Sequence, residues 1–299
     1  MKLVLDEKEI RKGRPIGLPY IGSKKKIARK LSEIIKQNFG TDKTIYDLFG
    51  DGGAITLECK LQGLDVVYND IDPIPGQMIQ KILSEDREYI KTLICSREEF
   101  FQIRDKEDKT IDDHLKLLVN SFGNDCKSYL YSEKNSEFKY KLTKEIIEKH
   151  DCFYGYKQTE TYKRCIEKNG RLKQLKQLQQ LEQLQQLQRL KQLKNIQDIE
   201  ANGKIKFYNK DYKEFSEIKN SILYLDPPYK DTKKAYKHSN LDHEEFYSWC
   251  KSMSKENIVL ISGYRMPDDF EVVYEFRKAK STMQSGYHES KYEKLYMIN

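Results

Sequence analysis

Long apolar runs are missing from this chain of 299 residues. Nowhere does it approach the roughly 20 apolar residues that a membrane-crossing helix needs, and its mean hydropathy is −0.81, so a soluble protein with no membrane partner is expected. The opening segment, M-K-L-V-L-D-E-K-E-I-R-K-G-R-P, scatters charge where a secretory signal carries an unbroken apolar core. No export signal is therefore expected, and the chain reads as a protein of the bacterial or phage-infected cytosol. Paired cysteines are missing too. Cys59, Cys95, Cys126, Cys152, Cys165 and Cys250 stand singly, without a C-x-x-C pair or a histidine at zinc-ligand spacing. That excludes a disulfide scaffold and a zinc module and points to free thiols in a reducing compartment. A dominant charge sign is also absent: 54 Lys and Arg against 47 Asp and Glu leave a net charge of +7. Such a balance suits a polyanionic partner but is shared by many cytosolic proteins.

What is present has a β-α-β rhythm. Ile45 to Phe49 is a short apolar stretch that runs into glycines, and Leu64 to Tyr68 is a second that runs into Asn69 and Asp70, with a helix predicted between them from Ala54. Ser221 to Leu225, stopped by two prolines, and Ile258 to Ser262, stopped by Gly263, read as buried strands. Glu293 to Ile298 reads as the last strand. The middle is different: polar, lysine-rich and helix-compatible. This predicts a catalytic domain from residues 1–76 and 204–299, with an inserted, mainly helical region over 77–203.

Within the insertion, leucine recurs at 172, 175, 178, 181, 184, 187, 190 and 193. A step of three falls about 60° short of a full helical turn, so such a stripe winds around a helix instead of holding one face. A coiled-coil seam is disfavoured over 171–195. A tolerated spacer and a partner-binding ridge are the two readings of the repeat, the spacer being favoured.

The residues with the sharpest chemistry are Asp226, Pro227, Pro228 and Tyr229, directly after the apolar run Ile222 to Leu225. A carboxylate at the carboxyl end of a strand lies where open α/β sheets build their sites. Two prolines fix φ and donate no N–H, leaving a stiff loop rich in acceptors beside an aromatic ring. The exocyclic amine of adenine suits that loop, because its lone pair is delocalised until acceptors engage both N–H groups. Asp226 and the Pro227 carbonyl can supply those acceptors, and Tyr229 a face for stacking, worth about 1–3 kcal/mol per base. Such a base must first leave the duplex stack. The plain alternative is a strand-terminating turn.

Other stretches keep company with this one. Tyr46 to Gly53 is a strand that opens into a glycine loop containing Phe49, Gly50 and Gly52, although it is not G-x-G-x-x-G. Asn69-Asp70 follows about 20 residues on, where Rossmann-like folds set an acid against ribose hydroxyls; an ordinary Asx turn would look the same. Upstream, Pro19 to Lys24 joins Tyr20, a tight turn at Gly22 and the cation Lys24 ahead of a helix-like run, Ile27 to Ile35. Lys24 there is able to meet a cofactor carboxylate or merely begin a solvated helix. Asp211 is either an acceptor for a cofactor's adenine amine or a surface acid.

Taken in order, P-Y-I-G-S-K, D-L-F-G-D-G-G, N-D-I-D, K-D-Y, D-P-P-Y, I-S-G-Y at Ile261 to Tyr264 and the terminal E-K-L-Y-M-I-N resemble the Dam-like, class D12 adenine-N6 DNA methyltransferases of phages and prophages. The chain has Gly22-Ser23-Lys24 where that family usually has G-G-K. The resemblance implies a Rossmann-like S-adenosylmethionine-dependent sheet with an inserted target-recognition domain between the N-D and D-P-P-Y motifs. It implies cofactor contacts from Tyr20, Gly22, Lys24, Phe49, Gly50, Gly52, Asp70, Asp211 and Asp226, and catalysis centred on Asp226, Pro227, Pro228 and Tyr229. Double-stranded DNA is the implied partner, in a protection, restriction or regulatory role, and no metal is called for. The loop Asn120 to Lys127 is the expected contributor to base reading, and a monomer is the simpler oligomeric expectation. Other readings are methylation of an RNA adenine or a protein glutamine, or a silent DNA-binding protein on the same scaffold.

Overall fold

In the protein, a computed structural model, residues 2–20, 22–150, 184–199, 204–228, 241–276 and 292–298 are described. The chain divides into two compact units. One comprises Met1–Gly17, Gly22–Gly76 and Ala201–Asn299, the other Leu18–Ile21 and Gln77–Glu200.

The first unit is built on one sheet of seven strands: β1 (Ile45–Asp47), β2 (Val66–Asn69), β3 (Lys206–Tyr208), β4 (Ile222–Leu225), β5 (Ile258–Gly263), β6 (Phe270–Phe276) and β7 (Glu293–Ile298), in the order β3-β2-β1-β4-β5-β7-β6. The first five are parallel, and β7 runs antiparallel to both β5 and β6. This is a Rossmann-like α/β arrangement, and its strand order reverses between β1 and β4, the place where such sheets open a crevice. β2 and β4 are buried at every position, as expected of parallel strands covered on both faces.

Alternation along β4 assigns the two layers. Ile222 and Tyr224 join the core beneath helices α1 (Lys25–Phe39) and α2 (Ala54–Leu61), whereas Leu223 and Leu225 join the core beneath α9 (His243–Met253). α1 buries Ile27, Ala28, Leu31, Ile34 and Ile35, one face of a 3.6-residue period. The expected strands and helices at these places are all present; β3 and β6 are additions.

The second unit is helical. It contains α3 (Pro73–Ser84) from Gln77 onward, then α4 (Arg87–Lys91), α5 (Arg97–Arg104), α6 (Ile111–Asn120), α7 (Glu133–His150) and α8 (Gln185–Gln197). α6 starts on a capping box, with Thr110 and Asp113 exchanging side-chain-to-backbone bonds.

Residues 171–183 of the leucine repeat lie outside the described residues. From Leu184 on, the repeat is neither spacer nor outward ridge. Leu184, Leu187, Leu190 and Leu193 are all buried within their unit, together with Gln186 and Arg189. A stripe that winds around the helix suits a helix buried on most sides. Gln186 Nε2 donates to Asn120 Oδ1 at 2.5 Å, and Arg189 donates to the Leu118 and Val119 carbonyls at 2.9 and 3.0 Å, satisfying groups at the end of α6.

Among the described residues no helix is long and apolar enough to cross a membrane. The described cysteines Cys59, Cys95, Cys126 and Cys250 are free thiols; Cys152 and Cys165 lie outside the described residues.

Candidate active site

Asp47 ends β1 opposite Tyr224 of β4, Asp226 follows the last residue of β4, and a pocket opens at these carboxyl ends. It is lined by Ser23, Lys24, Asp47, Phe49, Gly50, Asp51, Gly52, Tyr224 and Asp226, among others. The glycine loop reaches it by a sharp turn in which Asp51 and Gly53 adopt φ of 43° and 69°. Gly53 donates to the Gly50 carbonyl at 2.8 Å and Gly50 to the Asn69 carbonyl at 2.9 Å. Gly50 has a specific reason to lack a side chain: a Cβ there would sit 2.2 Å from the buried ring of Tyr68. That ring in turn donates its hydroxyl to the Asp51 carbonyl at 2.8 Å.

Asp226 is held through both oxygens. Oδ2 lies 2.7 Å from the Lys24 ammonium, and Oδ1 accepts from Ser262 Oγ at 2.9 Å. Ser262 is fully buried on β5 and shares a 2.9 Å bond with the Tyr224 hydroxyl, whose pKa burial pushes well above the usual tyrosine value, with the charge of Asp226 adding to the rise. Lys24 also contacts Glu293 Oε1 at 3.2 Å. Pro227 is buried and Pro228 half-buried; Tyr229 lies outside the described residues.

Asp70, at the end of β2, accepts from the backbone N–H of Asp51 through Oδ2 and of Asp72 through Oδ1, each at 2.8 Å, and so ties the glycine loop to β2. Asn69 next to it donates to the Leu48 and Lys210 carbonyls at 3.1 and 3.0 Å. That bond brings the segment before Asp211 alongside β2. The Asp211 carboxylate itself caps a 3₁₀ turn, Tyr212–Phe215, by accepting from Lys213 N. Phe49 stacks on Tyr212 with ring centroids 5.9 Å apart. Gly22 sits at φ 79°, and Tyr20 belongs to the second unit.

The pocket gathers more carboxyl groups than it has cations to balance. Burial raises the Asp47 carboxyl to about 7, and the nearby charges of Asp226 and Asp70 add to the rise, even though Thr56 donates to Oδ2 from both its hydroxyl and its N–H. Asp51 is likewise held well above the ordinary value, first by desolvation and then by Asp70 and Asp226. Two buried polar atoms on this lining, Ser23 Oγ and Asp47 Oδ1, have no hydrogen-bond partner among the described residues. Native interiors rarely leave such atoms unsatisfied. Together these features fit a ligand that is cationic and also carries polar groups, as S-adenosylmethionine does with its sulfonium and ammonium. Among the described residues no His, Cys, Asp and Glu cluster has the make-up of a metal site.

Several of these residues were not singled out from sequence: Ser23, Asp47 and Asp51 on the lining, and Tyr224, Ser262 and Glu293 around Asp226. Asp47 and Asp51 stand inside the glycine-loop motif, Ser23 inside P-Y-I-G-S-K, Ser262 inside I-S-G-Y and Glu293 at the start of E-K-L-Y-M-I-N, while Tyr224 lies in the apolar run before D-P-P-Y.

A family model described as D12 class N6 adenine-specific DNA methyltransferase matches residues 20–290. No curated protein matches the chain significantly.

Proposed function

The chain belongs to the D12 class N6 adenine-specific DNA methyltransferases, and from that premise we propose that it moves a methyl group from S-adenosylmethionine to N6 of an adenine turned out of double-stranded DNA, with Asp226 touching the reacting amine. The observation that carries the reading is a carboxylate at the switch point of the sheet, pinned through both oxygens at the rim of an acidic pocket.

A carboxylate offers about four acceptor positions, so Asp226 keeps lone pairs for an amine N–H after Ser262 and Lys24 have taken theirs. The Pro227 carbonyl is the second acceptor, and the two prolines bring no N–H that would compete. Tyr229 is assigned the stacking face. When bound, the cofactor supplies a methyl already activated on a cationic sulfonium. Asp226 and the Pro227 carbonyl would hold the amine in line with that methyl by accepting from its N–H groups, and the proton released on methylation would pass to solvent. The protein contributes orientation and exclusion of solvent.

Ser23, Phe49, Gly50, Gly52, Asp47 and Asp51 would hold the cofactor within the pocket. Asp70 is assigned its ribose hydroxyls and Asp211 its adenine amine, and Tyr20, Gly22 and Lys24 complete the set. Target recognition is assigned to the inserted helical region, with residues 122–127 of the expected loop reading bases; Asn120 instead ends α6 and is buried, as is Ser121. That loop exposes Phe122 and has positive φ at Gly123, Asn124 and Cys126.

The test is transfer of labelled methyl from S-adenosylmethionine to unmethylated duplex DNA, followed by nucleoside analysis. N6-methyladenine is expected from wild type. Asp226→Ala is expected to abolish turnover while DNA affinity stays within a few-fold. Methylation retained in Asp226→Ala would overturn the mechanism, and label found only in RNA or in glutamine would overturn the substrate.

A further inference from the structure

Parallel strands deliver their last residues to the site, but β7 runs the other way. In its register with β5, Ser262 faces Leu295 and Gly263 faces Lys294. The first residue of β7, Glu293, therefore arrives at the edge where β4 and β5 finish, although it is remote in sequence from Lys24 and Asp226. Its carboxylate is 3.2 Å from the Lys24 ammonium, which is 2.7 Å from Asp226. The three side chains are 9%, 14% and 8% exposed, so two acids and one cation meet in a nearly dry space.

A second buried carboxylate is expensive to desolvate and is not needed to hold one lysine. Its effect on Asp226 is more specific. A lone Lys24–Asp226 pair would be neutral, and an acceptor paired with its own full counter-charge is weaker toward another donor. With the ammonium divided between two acids, Asp226 keeps anionic character. Charge-assisted hydrogen bonds are roughly twice as strong as neutral ones.

We infer that Glu293 is a positioning residue for methyl transfer: it fixes Lys24 from the far side and keeps that lysine from neutralising Asp226. The inference rests on the adenine-methylation reading, because it concerns how well Asp226 accepts an amine N–H.

Glu293→Gln keeps the shape and removes the charge. It is expected to lower kcat by about tenfold, the order of one charge-assisted bond weakened to a neutral one, with KM for DNA unchanged and no fall in cofactor affinity or melting temperature. Glu293→Asp, shorter but still charged, is expected to lose less. A packing role would rank these variants in the opposite order, since Gln is the closer match in shape. In a Lys24→Met background Glu293→Gln is expected to add nothing, because its route to Asp226 is gone. A wild-type kcat in Glu293→Gln, or a loss that follows cofactor affinity or melting temperature, would overturn the inference alone. Absence of methyl transfer to adenine by wild type would overturn the reading beneath it.

Discussion

Replacing Asp47 with Asn is expected to stabilise the ligand-free protein, by an amount that depends on pH. In the folded state its carboxyl is raised from 3.8 to about 7. Between those values the folded chain holds a proton that the unfolded chain has released. Stability therefore falls as pH rises from about 4 to about 7 and is level beyond, where the full cost of a buried charge is present. About three pKa units at roughly 1.4 kcal/mol each set a ceiling of about 4 kcal/mol. Asn keeps an oxygen for the Thr56 hydroxyl and N–H and turns its amide toward the side where Asp47 Oδ1 has no partner, so little of that gain is forfeited. Urea denaturation of both proteins at several pH values between about 5 and 8 measures it. The advantage of Asp47→Asn should grow up to pH 7 and then stop growing. S-adenosylmethionine should stabilise wild type more strongly than the variant above pH 7, because its cation then has the Asp47 charge to meet. A variant less stable than wild type at pH 8, or an advantage independent of pH, would refute the assignment of a strained, buried charge to Asp47.

Two further changes test the scaffold. Gly50→Ala is expected to cost at least the 1–3 kcal/mol typical of overpacking, because the Tyr68 ring that it strikes is closed off on its other side by Gly76, itself 2.9 Å from the ring when given a Cβ. Thermal melting should show a larger drop for Gly50→Ala than for Gly76→Ala. Leu193→Ala, at a fully buried position of α8, is expected to cost about 2–5 kcal/mol. Hydrogen exchange should place the loss in the helical unit, and an unchanged exchange pattern would contradict a packed helix there.

The strands nearest the site were legible because each is an apolar run closed by a stop: Ile222 to Leu225 by the prolines, Ile258 to Ser262 by Gly263. β3 leaves no mark in the sequence because it has three residues and exposes Lys206 and Tyr208. β6, Phe270–Phe276, is equally hard to read, because Glu271 and Glu275 interrupt its apolar residues and it becomes a strand by pairing with β7. The glycine loop was legible as a turn, but the need for Gly50 itself lies in a ring 18 positions away in sequence, Tyr68. Spacing carries no trace of the partners of Asp226, since Lys24, Ser262 and Glu293 come from three distant segments. Asp211 shows the converse case: a single acid in the right order along the chain, whose carboxylate also caps the turn that follows it.

The buried helix α8 carries a consequence for how its sequence can drift. Slide the repeat by three residues and every leucine position along the helix receives another leucine: 184 takes the residue now at 181, and likewise up to 193. Position 186 again receives glutamine and position 194 again lysine, while 196 exchanges isoleucine for leucine. Along the part of the helix that packs, hydrophobic filling is thus nearly blind to insertion or deletion of a triplet upstream. Side chains that tell one register from the next are Arg189, which a slip would replace with glutamine, leaving the Leu118 and Val119 carbonyls without the donor they now have, and Gln197, which a slip would replace with lysine. Variants of the chain with a longer or shorter repeat should therefore keep an arginine in that place relative to the end of the helix.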